Sequence, residues 1–258
     1  MSLDFTFDRY REICQSIASS DYAVFRVADF MRNPKEKDNA IILRHDVDRD
    51  FDKALLMARI EESFNIKSSY YFRFRGDVFL PERMKEFADM GHEVGYHYEV
   101  LDKSRGDEEK AVEIFKSELK EFRKYFSVET VCMHGNPLTK WDSRDLWKEH
   151  KLEDYGLIGD CHLSFDFSKV AYITDTGRNW NPRKYNIKDI PLQPEANMVA
   201  LRDSRELISL IQGKKQPRLL TNIHPNLWSE TTLGWAKILI WKNIKNIGKT
   251  VLNRLNLV

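Results

Sequence analysis

The sequence predicts a single α/β domain built as a distorted (β/α)7 barrel of the TIM-like kind, with parallel strands, and three observations predict it. Short apolar runs alternate with stretches of helical periodicity about seven times along the chain, the pattern of parallel strands joined by right-handed crossovers. His97, His134 and His224 each stand where an apolar run stops. In a closed parallel barrel those strand ends converge on one mouth. No glycine-rich fingerprint follows the first strand, so an open doubly wound sheet is the less favoured alternative.

Residues 6–18 read as an amphipathic helix, with Tyr10, Ile13, Cys14 and Ile17 at helical spacing and a cap candidate in Phe5-Thr6-Phe7-Asp8. Phe25, Val27, Phe30 and Met31 are expected to pack near it, and Asn33-Pro34 breaks that run. The first core strand covers 41–46. The helix 51–64 follows, with Ala54, Leu55, Ala58, Ile60 and Phe64 as its buried stripe and Asp50 as a possible N-cap. Residues 68–74 alternate as a strand, Tyr71 and Arg73 facing one way. Pro81 opens a short helix that Gly91 closes. A strand over 93–99 ends in His97 and Glu99 on one face, and a long helix runs from Gly106-Asp107 to about Phe126. Then come a strand at 130–133, a helix at 143–150 and strands at 155–160 and 170–174. A polar loop over 175–182, a helix at 204–211 and a last strand at 219–223 complete the barrel.

Composition bounds the function. Apolar residues make up 42% and charged residues 31%, which suits a soluble globule. A net charge of +1 predicts no bulk attraction to nucleic acid. Cys14, Cys132 and Cys161 show no CxxC spacing and suit reduced thiols in a cytoplasm. The first ten residues lack the basic and apolar regions of a signal peptide, and no stretch is apolar for long enough to span a bilayer.

The chain is organised around Arg44-His45-Asp46-Val47-Asp48. Side chains alternate on a strand, so Asp46 and Asp48 share a side and His45 takes the other. Two carboxylates so close on one face repel unless a positive charge lies between them, and a divalent cation is the usual solution. The plain alternative is a strand exit followed by a helix cap. The downstream residues favour the cation.

Gly91-His92-Glu93-Val94-Gly95-Tyr96-His97 resembles the Gly-His-Glu-Ile-Gly-Ser/Asn-His motif of the polysaccharide deacetylases, carbohydrate esterase family four. Leu219-Leu220-Thr221-Asn222-Ile223-His224-Pro225 is similar to that family's late Leu-x-His motif. Order and rough spacing match over about residues 40–226, in the manner of the subgroup with His-Asp-Val-Asp as first motif, found among O-antigen and capsule (lipopolysaccharide) biosynthesis proteins. The resemblance implies a metal held by one Asp and two His, and hydrolysis of an N-acetyl group on an amino sugar. By position, Asp46 matches the catalytic base, His97 the first metal His, and His224 the His that protonates the leaving amine.

The sequence departs from the family at three places. Val47 stands where the metal Asp is expected, and Asp48 is the substitute, facing the same way as Asp46. Leu101 stands where the second metal His is expected; His134 is the leading replacement and Glu99 the other. His134-Gly135-Asn136-Pro137 replaces the family's Arg-Pro-Pro loop. Imidazole and carboxylate together suit Zn, with Co, Mn, Ni or Fe as alternatives. Arg73, Glu99, Asp175, Arg178 and Trp180 are candidates for binding sugar or phosphate at the mouth, with a solvated rim as the competing reading. His45, His92, His150 and His162 read as structural.

Residues 1–230 therefore form the expected barrel and 231–258 a basic amphipathic helix. Lys237, Lys242, Lys245, Lys249 and Arg254 lie there with no acid, and Ile240, Ile244, Ile247 and Val251 recur at helical spacing beside Trp235 and Trp241. Such a helix suits the surface of an anionic membrane, or else packs on the barrel with its lysines in water. The leading expectation is a cytoplasmic, metal-dependent deacetylase, peripheral on the membrane's inner face, acting on a lipid-linked or nucleotide-linked N-acetylated sugar. A non-catalytic carbohydrate-binding barrel and a metal-dependent phosphoesterase are the alternatives.

Overall fold

The apolar runs form eight strands among the described residues: β1 (Ala23–Phe25), β2 (Ala40–Val47), β3 (Ser69–Arg73), β4 (Glu93–Tyr98), β5 (Thr130–Met133), β6 (Gly159–Asp160), β7 (Ala171–Thr174) and β8 (Arg218–Ile223). All pair in parallel, in the order β6-β5-β4-β3-β2-β8-β7, with β1 added beside the start of β2. Strands and helices alternate, and the sheet curls into a distorted (β/α)7 barrel, as the alternation predicts. β6 and β7, at the two ends of that order, do not pair among the described residues. The structure, a computed structural model, describes residues 3–33 and 38–254; for residues 183, 185, 245 and 247–254 it describes backbone only. The expected break at Pro34 and the side chains of Lys245, Ile247, Lys249, Val251 and Arg254 lie outside that description.

Alternation on the strands divides the core in two. Ile42, Tyr71, Cys132, Tyr172 and Leu220 point into the barrel. Ile41, Leu43, Val47, Tyr70, Phe72 and Ile223 point outward, under α1 (Phe7–Ala18), α3 (Phe51–Ser63), α4 (Pro81–Asp89), α6 (Glu108–Arg123) and α9 (Ser204–Gln212). Thr6 caps α1 by accepting from the Arg9 amide, and Asp203 caps α9 by accepting from the amides of Arg205 and Glu206. The short helix α2 (Val27–Arg32) places Val27 and Phe30 against the barrel interior, where the sequence shows only scattered apolar residues.

Other differences from expectation are local. The helix expected from Gly106 is preceded by a separate one, α5 (Val100–Ser104), entered from Glu99. The strand expected over 155–160 shrinks to β6, because a 3-10 turn takes Leu152–Tyr155. The helix expected over 143–150 is a 3-10 turn at Ser143–Asp145 followed by α7 (Leu146–Glu149). Asp50 stands at the N-cap of α3, but it has a positive φ of 59° and its side chain makes no cap bond. After β7 come the short α8 (Pro182–Tyr185) and then α9; the last described element is α10 (Thr232–Arg254).

Candidate metal centre and active site

The ends of β2, β4, β5 and β8 deliver Asp46, Asp48, His97, His134 and His224 to one cavity of about 460 Å³. Two glycines of the Gly-His-Glu-Val-Gly-Tyr-His stretch make this possible. Gly91 takes a φ of 85°, which ends α4 and turns the chain into β4. Gly95 faces the Tyr71 ring, where a Cβ would come within 2.4 Å of a ring carbon. The ring thus fills the barrel beneath His97, and its hydroxyl meets Thr130 Oγ1 at 2.6 Å.

Three donor atoms converge above it. Asp48 Oδ1 is 3.0 Å from His134 Nδ1 and 3.5 Å from His97 Nε2, and the two imidazole nitrogens are 3.3 Å apart. A tetrahedral ion with bonds of about 2.1 Å has ligand atoms roughly 3.4 Å from one another. His97 Nδ1 donates to the Cys132 carbonyl at 2.9 Å, which leaves the Nε2 lone pair aimed at the cluster. Asp48 Oδ1 is buried and has no hydrogen-bond donor of its own. An orphaned carboxylate oxygen between two imidazole nitrogens fits a divalent cation. Burial pushes the Asp48 carboxyl up, but the neighbouring imidazoles prevail and hold it well below the usual carboxylate range.

A second group, Asp46, His97 and Cys132, also meets the distance requirement for a metal. Its chemistry is poorer. Burial keeps the Cys132 thiol well above its ordinary pKa, so it stays protonated and donates to Asp46 Oδ1 at 3.7 Å. Asp46 is already engaged: Arg44 donates to both its oxygens, at 2.9 and 2.7 Å, and Asn222 Nδ2 donates to Oδ2 at 3.0 Å. Burial opposes ionisation of Asp46, yet the Arg44 guanidinium prevails and keeps the carboxyl well below the usual range.

Across the cavity, His224 Nε2 lies 3.8 Å from Asp46 Oδ2. Its Nδ1 donates to Asp175 Oδ1 at 2.7 Å, and Trp228 Nε1 donates to the other Asp175 oxygen at 2.8 Å. Burial alone would discharge this imidazole. The Asp175 carboxylate outweighs it and raises the pKa to about 9, so His224 carries a proton at neutral pH.

The structure brings the five central residues together and treats the expected sugar-binding residues unequally. Arg73 lines the cavity, with its guanidinium held by Glu99. Glu99 is buried, is held by Arg73 and Lys103, and is not among the converging metal donors. Asp175 is fully buried and touches His224 and Trp228, so it positions the imidazole and has no surface to offer a sugar. Arg178 packs against the Phe5 and Trp235 rings and donates to the Trp235 carbonyl, away from the cavity wall. Trp180 is 1% exposed, stacked on Phe5, with Nε1 donating to Ser204. Leu101, the position at which the sequence resemblance led to a metal His being expected, is buried in α5, and His134 is among the converging donors.

Asp189 is the residue sequence reading missed. It accepts from Arg44, Tyr172, Thr174, Thr176 and Asn222 and contacts His162 Nε2 at 3.0 Å. Arg44 thereby ties the Asp46 carboxylate to Asp189. The segment that carries Asp189 has no periodicity, and its partners come from four separate parts of the chain, so no local signal marks it.

No family model matches the sequence, and no curated protein does. Among solved structures it is similar to a mutant of BA3943, described as a CE4 family pseudoenzyme with restored enzymatic activity: 12% identity, TM-score 0.37, covering 81% of this chain and 63% of that one. A mutant of the peptidoglycan deacetylase PdaC from Bacillus subtilis is similar at 12% identity and TM-score 0.38, covering 81% of this chain and 96% of that one. The chain thus spans less than two thirds of the length of the first of these. Likeness at this level decides nothing about chemistry, which resides in the site.

Proposed function

We propose that this chain is a metal-dependent hydrolase that removes the N-acetyl group from an amino sugar during surface-polysaccharide biosynthesis, working on the cytoplasmic side. The observation that carries the reading is the convergence of Asp48, His97 and His134 between an ionised Asp46 and a protonated His224. Asp48, His97 and His134 would hold a zinc-like ion, which when bound would supply positive charge to polarise the amide carbonyl and acidify water. Asp46, fixed by Arg44 and Asn222, orients the attacking water and accepts its proton. His224 Nε2 delivers its proton to the amide nitrogen, so the C–N bond breaks to acetate and a free amine. Asp175 holds His224 in the orientation and charge state for that delivery. Arg73 lines the wall where the rest of the sugar lies.

The test is acetate release from N-acetylated hexosamine substrates by the purified chain, with metal content measured in parallel. Asp46→Asn should retain the ion and lower kcat by at least about 100-fold. Absence of both bound metal and acetate release would refute the reading and leave a sugar-binding barrel. A second reading, phosphoester hydrolysis on the same ligands, is favoured by Arg49, Arg73, Lys188 and Lys242 in the cavity wall. Phosphate release without acetate release would select it.

A further inference from the structure

Helix α10 presents two unlike faces. At about 100° per residue, Leu233, Ile240, Trp241 and Ile244 fall within an arc of roughly 100°, with Lys237 among them. They are 67%, 62%, 54% and 56% exposed, respectively. Trp235, Lys242 and Asn246 fall on the opposite side, and that side is docked. Trp235 Nε1 donates to the Asp4 carbonyl at 2.6 Å, Asn246 Nδ2 donates to the Gly177 carbonyl at 2.9 Å, and Lys242 lines the catalytic cavity. The apolar residues are therefore exposed on a helix that the barrel holds firmly by its other face. Leu138, 75% exposed, lines the same cavity.

Charge indicates what covers this face. From Thr231 to Val258 the sequence has five cations and no acid. A second copy of the chain would bring the same positive charge against it, which opposes pairing. An anionic surface matches the lysines and takes up exposed leucine, isoleucine and tryptophan, while Lys237 reaches the headgroups. No helix among the described residues is long and apolar enough to cross a membrane, so contact would be in the plane of the surface.

We propose that α10 lies in the interface of an anionic bilayer by its exposed apolar face and so holds the chain at the membrane surface. Resting on the deacetylase reading above, this keeps the enzyme where an amino sugar carried on a membrane lipid would be presented to it.

The full chain is sedimented with vesicles of phosphatidylglycerol and phosphatidylcholine in equal parts, and with phosphatidylcholine alone. Binding should be roughly 10-fold stronger to the anionic vesicles and should weaken as salt rises. Combined Leu233→Ser, Ile240→Ser, Trp241→Ser and Ile244→Ser should abolish it while leaving acetate release from a water-soluble N-acetylated sugar unchanged. Lys237→Glu, a single exposed change, should reduce the anionic preference even where the combined variant fails to fold. Equal sedimentation of wild type with both vesicles, no sedimentation with either, or a solution dimer that the serine variant dissociates would overturn the proposal; the last assigns the face to a second copy. Sedimentation requires no turnover. Vesicle binding without acetate release would therefore refute the deacetylase reading alone, and acetate release without vesicle binding would refute the membrane proposal alone.

Discussion

Strand β2 carries two clusters of carboxylate and imidazole, one on each face, and they differ in how completely their carboxylate oxygens are occupied. On the outer face His45 Nε2 meets Glu61 Oε1 at 2.8 Å. Glu61 also accepts from the hydroxyls of Tyr10, Ser68 and Tyr70, at 2.5, 2.6 and 2.7 Å, and is 0% exposed. On the inner face Asp48 lies between His97 and His134 with an orphaned oxygen, and the cluster opens to a cavity. Both clusters shift pKa values, so that property does not identify the site. An unfilled carboxylate oxygen beside an open cavity does.

The sharpest test makes the same cut on both faces. His134→Ala should abolish metal retention and lower acetate release by more than about 1,000-fold, while changing the unfolding free energy of the metal-free protein by less than about 1 kcal/mol, because the side chain is partly exposed. Glu61→Ala should do the reverse. It strands His45 and three hydroxyls in the core and should cost about 4 kcal/mol of stability, with activity per folded molecule within about 3-fold of wild type. Denaturant unfolding beside acetate release checks both; a large loss of activity in folded Glu61→Ala would break the contrast.

Opposite pH limbs should separate the faces next. Burial raises the Glu61 carboxyl, but His45 prevails and brings it to about 2 from an ordinary 4.5. A depressed carboxylate contributes stability above its unfolded pKa and loses it as pH falls toward the folded one. Wild type should thus lose roughly 3 kcal/mol between pH about 4.5 and about 2 that Glu61→Gln does not. His224 has the opposite sign. Its raised pKa of about 9 stabilises the fold below about 6.5 and loses that contribution as pH rises through about 9. The activity that needs its proton should fall over the same alkaline range. Asp175→Asn should move that alkaline limb down toward about 6.5; a pH–rate profile unchanged by the substitution would remove His224 as the acid.

The smallest expected effect decides between the two donor groups that share His97. Cys132→Ser keeps the carbonyl that orients His97 and should alter metal affinity by less than about 3-fold. Loss of the ion on titration with a chelator would instead assign it to Asp46, His97 and Cys132.

Much of this was legible because strand alternation is a rigid rule. It put Asp46 and Asp48 on one face and His45 on the other, and the stopping points of the apolar runs located His97, His134 and His224 at one mouth. What was hidden depends on contacts between distant segments. Arg178 and Trp180 occupy a polar loop with the composition of a sugar-binding rim, yet Phe5 and Trp235, more than fifty residues away on either side, bury them. The five-residue α5 was hidden for a local reason: it is too short to show a period. Asp189 was hidden because its partners span most of the chain.

That last residue ties cohesion to reactivity. Where β6 and β7 leave the ladder open, Tyr172, Thr174 and Asn222 from β7 and β8 and His162 from beyond β6 all reach the Asp189 carboxylate. Through Arg44 the same carboxylate sets the aim of Asp46. One side chain is thus both the clasp of an incomplete ring and the rest on which its base is levelled, so substitutions that tighten or loosen the ring at that seam will retune the chemistry as well.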